Sequence, residues 1–390
     1  MKINSIGKLK STTRIDLRQQ SMLIALVVIS TLFQISTGGI IFRSANLSKL
    51  IMQNSYVLIL AIGMLPCIIS GNVDLSVGSV LALISALCGK LIVELRLPVT
   101  IVIPVALLAG ILVGAFQAYW IAYIRLPAFI VTLAGSLIFR GLTMTLLQGR
   151  TLAPFPASFS WISAGFLPRY LIGSIDIVGV SLGLMCAIML VISQVLGRKK
   201  AAKYKAKQSS TIIFVLKITI IAFLIVFFTY WLGTYNGLPS ILILLVILLL
   251  TYNFITRNTV FGRQLYALGG NEIAAKLSGV NTNAILFLTY INMALMSAIA
   301  GIVFAGRLSA ATPTAGLGFE LDAIAACYIG GASAKGGVGT VIGAVIGGLV
   351  MGILNNGMSI MGVGSDWQQT IKGCVLLAAV AFDVLSKKKQ

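Results

Sequence analysis

Runs of about 20 apolar residues, separated by short polar stretches, recur from end to end of this chain. A helix of that length, at 1.5 Å per residue, matches the hydrocarbon thickness of a bilayer. Candidates lie near 21–41, 51–70, 76–94, 98–123, 127–148, 178–197, 211–230, 239–256, 284–305, 321–336, 339–356 and 368–385. In lipid every backbone amide must find a partner within the protein, which leaves helices as the spanning elements for runs this long. The expectation is an all-α, polytopic transmembrane helical bundle of about 10–12 spans. The third and tenth runs are short, polar or rich in glycine, so broken or re-entrant helices are expected there. Composition agrees: 58% of residues are hydrophobic, 10% are charged and the mean hydropathy is +1.02, which excludes a soluble domain of this length.

The net charge of +20 invites a nucleic-acid partner, but the basic residues form no face with interleaved aromatic side chains, so none is expected. They lie between the spans instead, in contact with membrane lipids. Lys2, Lys8, Lys10, Arg14 and Arg18, six residues at 198–207, Arg257, Arg263 and Lys276, and Lys387 to Lys389 make seventeen of the 29. An even number of spans separates these four segments, so the positive-inside rule puts all of them, and both termini, in the cytoplasm. The organisation expected is a cytoplasmic segment 1–20 followed by one membrane domain, 21–386, with a basic cytoplasmic loop at 198–210. The first run is too long for a signal peptide and has no small-residue cleavage site before the next span, so it is expected to remain as a helix. Cys67, Cys88, Cys186, Cys327 and Cys374 stand singly, without metal-ligand spacing and in a chain with no histidine, as small packing residues do.

One polar island interrupts the pattern: 257–283, RNTVFGRQLYALGGNEIAAKLSGVNTN. Ile273, Ala274, Leu277 and Val280 recur at helical spacing, with Glu272, Lys276 and Asn283 on the other side. Gly269 and Gly270 supply a turn and Asn271 a cap for the first amides of that short helix. Two roles fit: a rigid element outside the lipid that takes force from a soluble partner, or an ordinary interhelical loop.

The second polar excursion, 149–177, carries Pro154, Pro156, Trp161, Pro168 and Tyr170, and suits a stiff segment at the outer interface. The glycine-rich 330–339 differs from a phosphate loop because Lys335 precedes the last glycines, no Ser or Thr follows it and no soluble strand leads in. Beyond it Gly339, Gly343 and Gly347, then Gly348 and Gly352, recur every four residues, a spacing for close helix packing in membranes.

Only nine acids occur, and three of them are placed oddly. Asp74, with Asn72 and Ser76 around it, precedes the third span, and Glu320 and Asp322 open the tenth. An ionisable side chain at membrane depth costs about 2.5–3.5 kcal/mol on insertion scales, so these five residues are candidates for a watery path, with helix capping an equal role for Asp74. Arg125 and Arg140 read as interfacial anchors. No nucleophile with a base, metal cluster or carboxylate dyad is discernible, so neither enzyme chemistry nor a cofactor is expected.

Five stretches in order carry a resemblance: SGNVDLSVGSVLAL, RLPAFIVTLAGSLIFRG, FGRQLYALGGNEIAAKLSGV, ELDAIAACYIGGASAKGGVGTVIGA and NNGMSIMGVGSDWQQTIKG. They resemble the permease subunits of bacterial ABC sugar importers, the ribose, xylose, galactose and arabinose branch, over about residues 50–385. An added hydrophobic pair around a basic loop, 178–230, is most similar to the xylose-type members. The resemblance implies the ABC importer permease fold in the inner membrane, a homodimer, a cytoplasmic ATP-binding subunit with two nucleotide-binding domains, and an extracytoplasmic sugar-binding protein. Ala274-Ala275-Lys276-Leu277-Ser278-Gly279 resembles the core of the family's ATPase-coupling loop, with Glu272 one residue from its usual place. The classes left to compare are this ATP-driven importer, an ion-coupled transporter using Asp74 or Glu320, and a permease for another cargo such as branched-chain amino acids.

Overall fold

The computed structural model describes residues 14–173, 175–203 and 210–388. Lys2, Lys8 and Lys10 of the N-terminal segment, Lys205 and Lys207 of the basic loop, and Lys389 lie outside the described residues. The chain runs α1 (Arg14–Ser36), α2 (Ser44–Ile69), α3 (Val77–Gly89) with a π-helical end at Lys90–Glu94, α4 (Val99–Ala122), α5 (Ala128–Leu147) and a short α6 (Ala157–Ala164). After a two-residue hairpin, β1 (Leu171–Ile172) with β2 (Ile175–Asp176), come α7 (Ile177–Lys203), α8 (Thr211–Gly233), α9 (Ile241–Asn258), α10 (Val260–Gly270) and α11 (Glu272–Leu277). The chain closes with α12 (Thr282–Leu308), α13 (Phe319–Ile329), α14 (Val341–Ile360) and α15 (Ser365–Lys388).

Proline sets several of these starts. Pro98, Pro127 and Pro156 each stand immediately before a helix, where their fixed φ suits entry and their missing N–H leaves no amide orphaned. Among the described residues nine helices are long and apolar enough to cross a membrane. The molecule is a multi-pass membrane protein. The expected span at 321–336 is different: α13 has only 11 residues, about 16 Å of helix, so it reaches through roughly half of a bilayer. The irregular stretch 309–318 precedes it, and Gly330 ends it. The other short run, 76–94, forms a helix of 18 residues only by widening into the π turn.

α2 and α12 form the spine. They run antiparallel, with Gly63 against Met293 and Met296, and Tyr56 against Phe304. On α4, Gly110 and Gly114 abut Ala298, Ala294 and Ile291 of α12, and on α12 itself Gly301 abuts Leu81 of α3. Missing side chains at these glycines bring the backbones together, which substitutes for the hydrophobic drive that lipid removes. Continued along the α2–α12 register, the last residue of α12 stands level with about Met52, so α2 rises beyond it by about two turns, roughly 12 Å.

The segment 149–177 does more than lie at an interface. Trp161 and Tyr170 are exposed, but Phe155 and Phe159 are buried edge to face, and Phe159 and Ser163 sit on Gly306 near the end of α12. α7 and α8 pack mainly on each other, at the periphery of the bundle.

Candidate functional site

Two groups of residues stand out, one at an end of the bundle and one at mid-depth. At the end, Asn271 caps α11 by accepting the Ala274 amide at 2.9 Å, as its side chain and extended backbone allow. Gly269 and Gly270 are not the turn expected of them: they are the last residues of α10, and the break falls at Asn271. Gly269 is instead a close-approach position, because a Cβ there would collide with the Ile69 carbonyl at the end of α2. That carbonyl accepts the Gly337 amide at 2.8 Å, and the Tyr266 hydroxyl donates to the Gly339 carbonyl at 2.7 Å. Burial pushes the Tyr266 phenol above its ordinary value, with Arg257 opposing, so it stays a neutral donor. The ends of α2 and α10 and the 331–339 loop are thereby one junction.

α11 stands on this junction. Ala275 is buried and points into the bundle, while Glu272, Ala274, Lys276, Ser278 and Gly279 are exposed. Ile273 and Leu277 are 74% and 85% exposed, on a helix that is not one of the nine apolar spans. The apolar side expected of this helix is not the buried one: Ile273, Ala274 and Leu277 face outward, Val280 is half-buried, and Ala275 seats the helix. Gly279 ends it at φ +83°, a left-handed turn that suits glycine. Arg125, expected as an interfacial anchor, holds the helix from the α4–α5 connection. Its guanidinium donates to Glu272 at 2.6 Å, to Thr282 at 3.0 Å and to Asn283.

At mid-depth the starts of α3 and α13 meet back to back. A Cβ on Gly78 would strike the Gly316 carbonyl and lie 2.6 Å from the Glu320 carboxylate. Gly316 takes φ +73°, the turn that lets the backbone double back there. Asp74 is buried and accepts from the Ser76 amide at 2.8 Å and the Ser76 hydroxyl at 2.6 Å, and Ser76 shares a hydrogen bond with Gln117 of α4. Asp74 thus organises the turn before α3 by holding the N-cap residue Ser76, without capping the first helical amides itself, and Asn72 lies half-buried two residues earlier. Asp322 pairs with Lys372 of α15 at 3.1 Å. Arg140, also expected as an anchor, faces inward and donates to the Ala315 carbonyl at 2.6 Å and the Pro313 carbonyl at 3.2 Å, which staples the irregular stretch before α13.

Three rings complete this group. Tyr56 stacks on Phe319 at 4.3 Å, and Phe304 meets both edge-on at 5.3 Å. Arg307, one turn beyond Phe304, lies within electrostatic reach of Tyr56. None of these residues, nor Gln117, Lys372 or Tyr266, was marked by sequence alone. For Lys372 the available signal was charge balance, since a cation inside an apolar run needs a counter-charge. The glycines of 339–347 lie between the two groups: Gly343 faces the Gly330 carbonyl, Gly347 faces the Ala326 carbonyl, and Gly339 faces Leu65.

Residues 46–380 match the family described as branched-chain amino acid transport system / permease component. The chain belongs to that permease family. Among its curated relatives, the xylose transport system permease protein XylH of Haemophilus influenzae is 40% identical over 98% of this chain and 99% of its own length. XylH of Escherichia coli is 38% identical over 98% and 96%, and the ribose import permease protein RbsC of Escherichia coli is 33% identical over 97% and 96%. No solved structure matches. The match to this permease family covers both groups of residues, from α2 to α15.

Proposed function

We propose that this permease is the path-forming subunit of an ATP-driven importer for a monosaccharide, D-xylose or a related pentose or hexose. The relatives named for xylose and ribose support the cargo over branched-chain amino acids. Energy comes from a separate cytoplasmic ATP-binding subunit with two nucleotide-binding domains, and sugar from an extracytoplasmic binding protein. α11 carries the proposal: outside the span-forming helices, it turns Ile273 and Leu277 outward and is tied by Arg125 to one part of the bundle and, through α10, to the α2–α13–α14 junction. A partner that moves α11 would move the ends of both broken elements together. Gly269, Gly270, Asn271, Ala275 and Gly279 shape and seat the coupling element, and Glu272, Ala274, Lys276 and Ser278 flank the contact surface.

The permease works as a homodimer in the inner membrane. Arg307 and Glu320 are only half-buried at membrane depth, beside Leu317 and Leu321, which are exposed. Charged groups do not face lipid, so a second copy covers this side and encloses water between the two. Asn72, Asp74, Ser76, Glu320 and Asp322 belong to the wall of that path or to its support. Both termini, the basic loop at 198–210 and the coupling loop at 257–283 lie in the cytoplasm. An ion-coupled transporter would require no partner at α11, and its exposed apolar pair favours the importer.

Purified permease, ATP-binding subunit and sugar-binding protein in proteoliposomes should import D-xylose with ATP and not with a proton or sodium gradient alone. Ile273→Glu with Leu277→Glu should abolish co-purification of the ATP-binding subunit while leaving membrane insertion normal. Uptake driven by a gradient in the absence of ATP would overturn the importer assignment.

A further inference from the structure

The three rings at mid-depth are placed for a task that packing alone does not require. Tyr56, Phe304 and Phe319 come from α2, α12 and the first residue of α13, and each is only partly buried. They lie one turn below the end of α12, on which α6 sits, and beside the exposed Leu317 and Leu321, where the proposed second copy encloses water. Water is at hand, because Arg307 and Glu320 border the rings and neither is fully buried. Irregular backbone, a half-helix and charged groups near the midplane are the setting in which membrane carriers hold a cargo.

A sugar ring has two chemically distinct surfaces, a face of C–H bonds and a rim of hydroxyls. Aromatic faces accept the first without demanding hydrogen bonds, and a few polar side chains at the edge orient the second. Such a surface is suited to transit: it lowers the barrier to desolvation along one face and makes few bonds that must later break. We propose that Tyr56, Phe304 and Phe319 form a stacking surface on which the imported sugar rests between release from its binding protein and passage inward, with Arg307 and Glu320 contacting its hydroxyls. This rests on the sugar-importer function proposed above.

The test uses the complete assembly in proteoliposomes, with radiolabelled D-xylose as probe. Tyr56→Leu and Phe319→Leu keep apolar bulk and remove the π face. Uptake per ATP hydrolysed should fall about three- to tenfold, the fold-change expected for one lost aromatic contact, while stimulated hydrolysis and subunit assembly are retained. Unchanged uptake per ATP in both variants overturns the stacking surface and leaves the importer standing. Wild-type assembly that imports none of D-xylose, D-ribose and D-galactose overturns the importer instead. For either variant that fails to assemble, Phe319→Cys in a background with Cys186→Ser and Cys374→Ser decides: saturating D-xylose should slow modification by a water-soluble thiol reagent, and an unaltered rate refutes the proposal.

Discussion

α2 and α8 are both apolar helices, and they stand at opposite extremes of burial. Of the most apolar stretch of each, 83% of α2 is buried within the bundle and 6% of α8, although α8 is the more hydrophobic of the two. In water the greasier helix would go inside. In a bilayer the tails solvate leucine as well as a neighbour does, so hydropathy no longer ranks helices by burial. Close approach does: α2 meets its partners at Gly63, Gly348 and Gly352, whereas the only glycine of α8 is Gly233 at its end. Helices that close on α2 through glycine assemble the working part of the molecule, whereas α7 closes through Gly183 on Thr229 of α8 and the two form a border to it.

The largest effect should come from closing an approach of this kind. Gly347→Leu would drive a side chain into the Ala326 carbonyl where α13 and α14 cross. We expect a loss of about 3 kcal/mol, at the upper end for overpacking, seen as a sharp fall in the thermal midpoint of the purified permease. Next is Asp74→Ala, which leaves the buried Ser76 amide and hydroxyl without their acceptor, at about 1–3 kcal/mol in the same assay. Asp74→Asn keeps an acceptor oxygen and should lose less than half as much; equal losses would mean that the charge, not the hydrogen bonds, matters. Arg125→Ala removes a pair whose members are 39% and 49% exposed, so its stability effect should be below about 1 kcal/mol and smaller still in high salt. Its effect on coupling should be larger: sugar-stimulated ATP hydrolysis should drop in the reconstituted assembly, and normal stimulation would remove Arg125 from the coupling route. The smallest effect belongs to the border. Leu224→Ala on α8 should stay within about 0.5 kcal/mol, and a loss matching that of Gly347→Leu would show that α8 packs against a partner and not lipid.

The helices were legible because apolar length and proline are local signals, as at Pro98 and Pro127. The half-length of α13 was legible only as an oddity, since Gly330 to Gly339 weaken a run without saying where its helix stops. Asn271 announced the cap it makes, but Gly269 was misleading: its sequence context suits a turn, while its reason is a carbonyl 200 residues earlier in the chain. Arg125 and Arg140 misled in the same way. A cation at the end of a span is correct for an anchor, and whether it points to headgroups or to Glu272 and the Ala315 carbonyl depends on segments far along the chain. The aromatic trio was invisible for the same reason, Tyr56 being separated by roughly 250 residues from Phe304 and Phe319 in the sequence.

The Asp322–Lys372 pair has an electrical consequence. If water enters between two copies above α13, most of the membrane voltage falls across the roughly 16 Å that α13 occupies, and a lone charge displaced there would exchange about 2.3 kcal/mol for each 100 mV it traverses. Two opposite charges that shift as a unit exchange almost none. The Asp322–Lys372 pair is thereby electrically silent, and it adds no voltage dependence of its own to import.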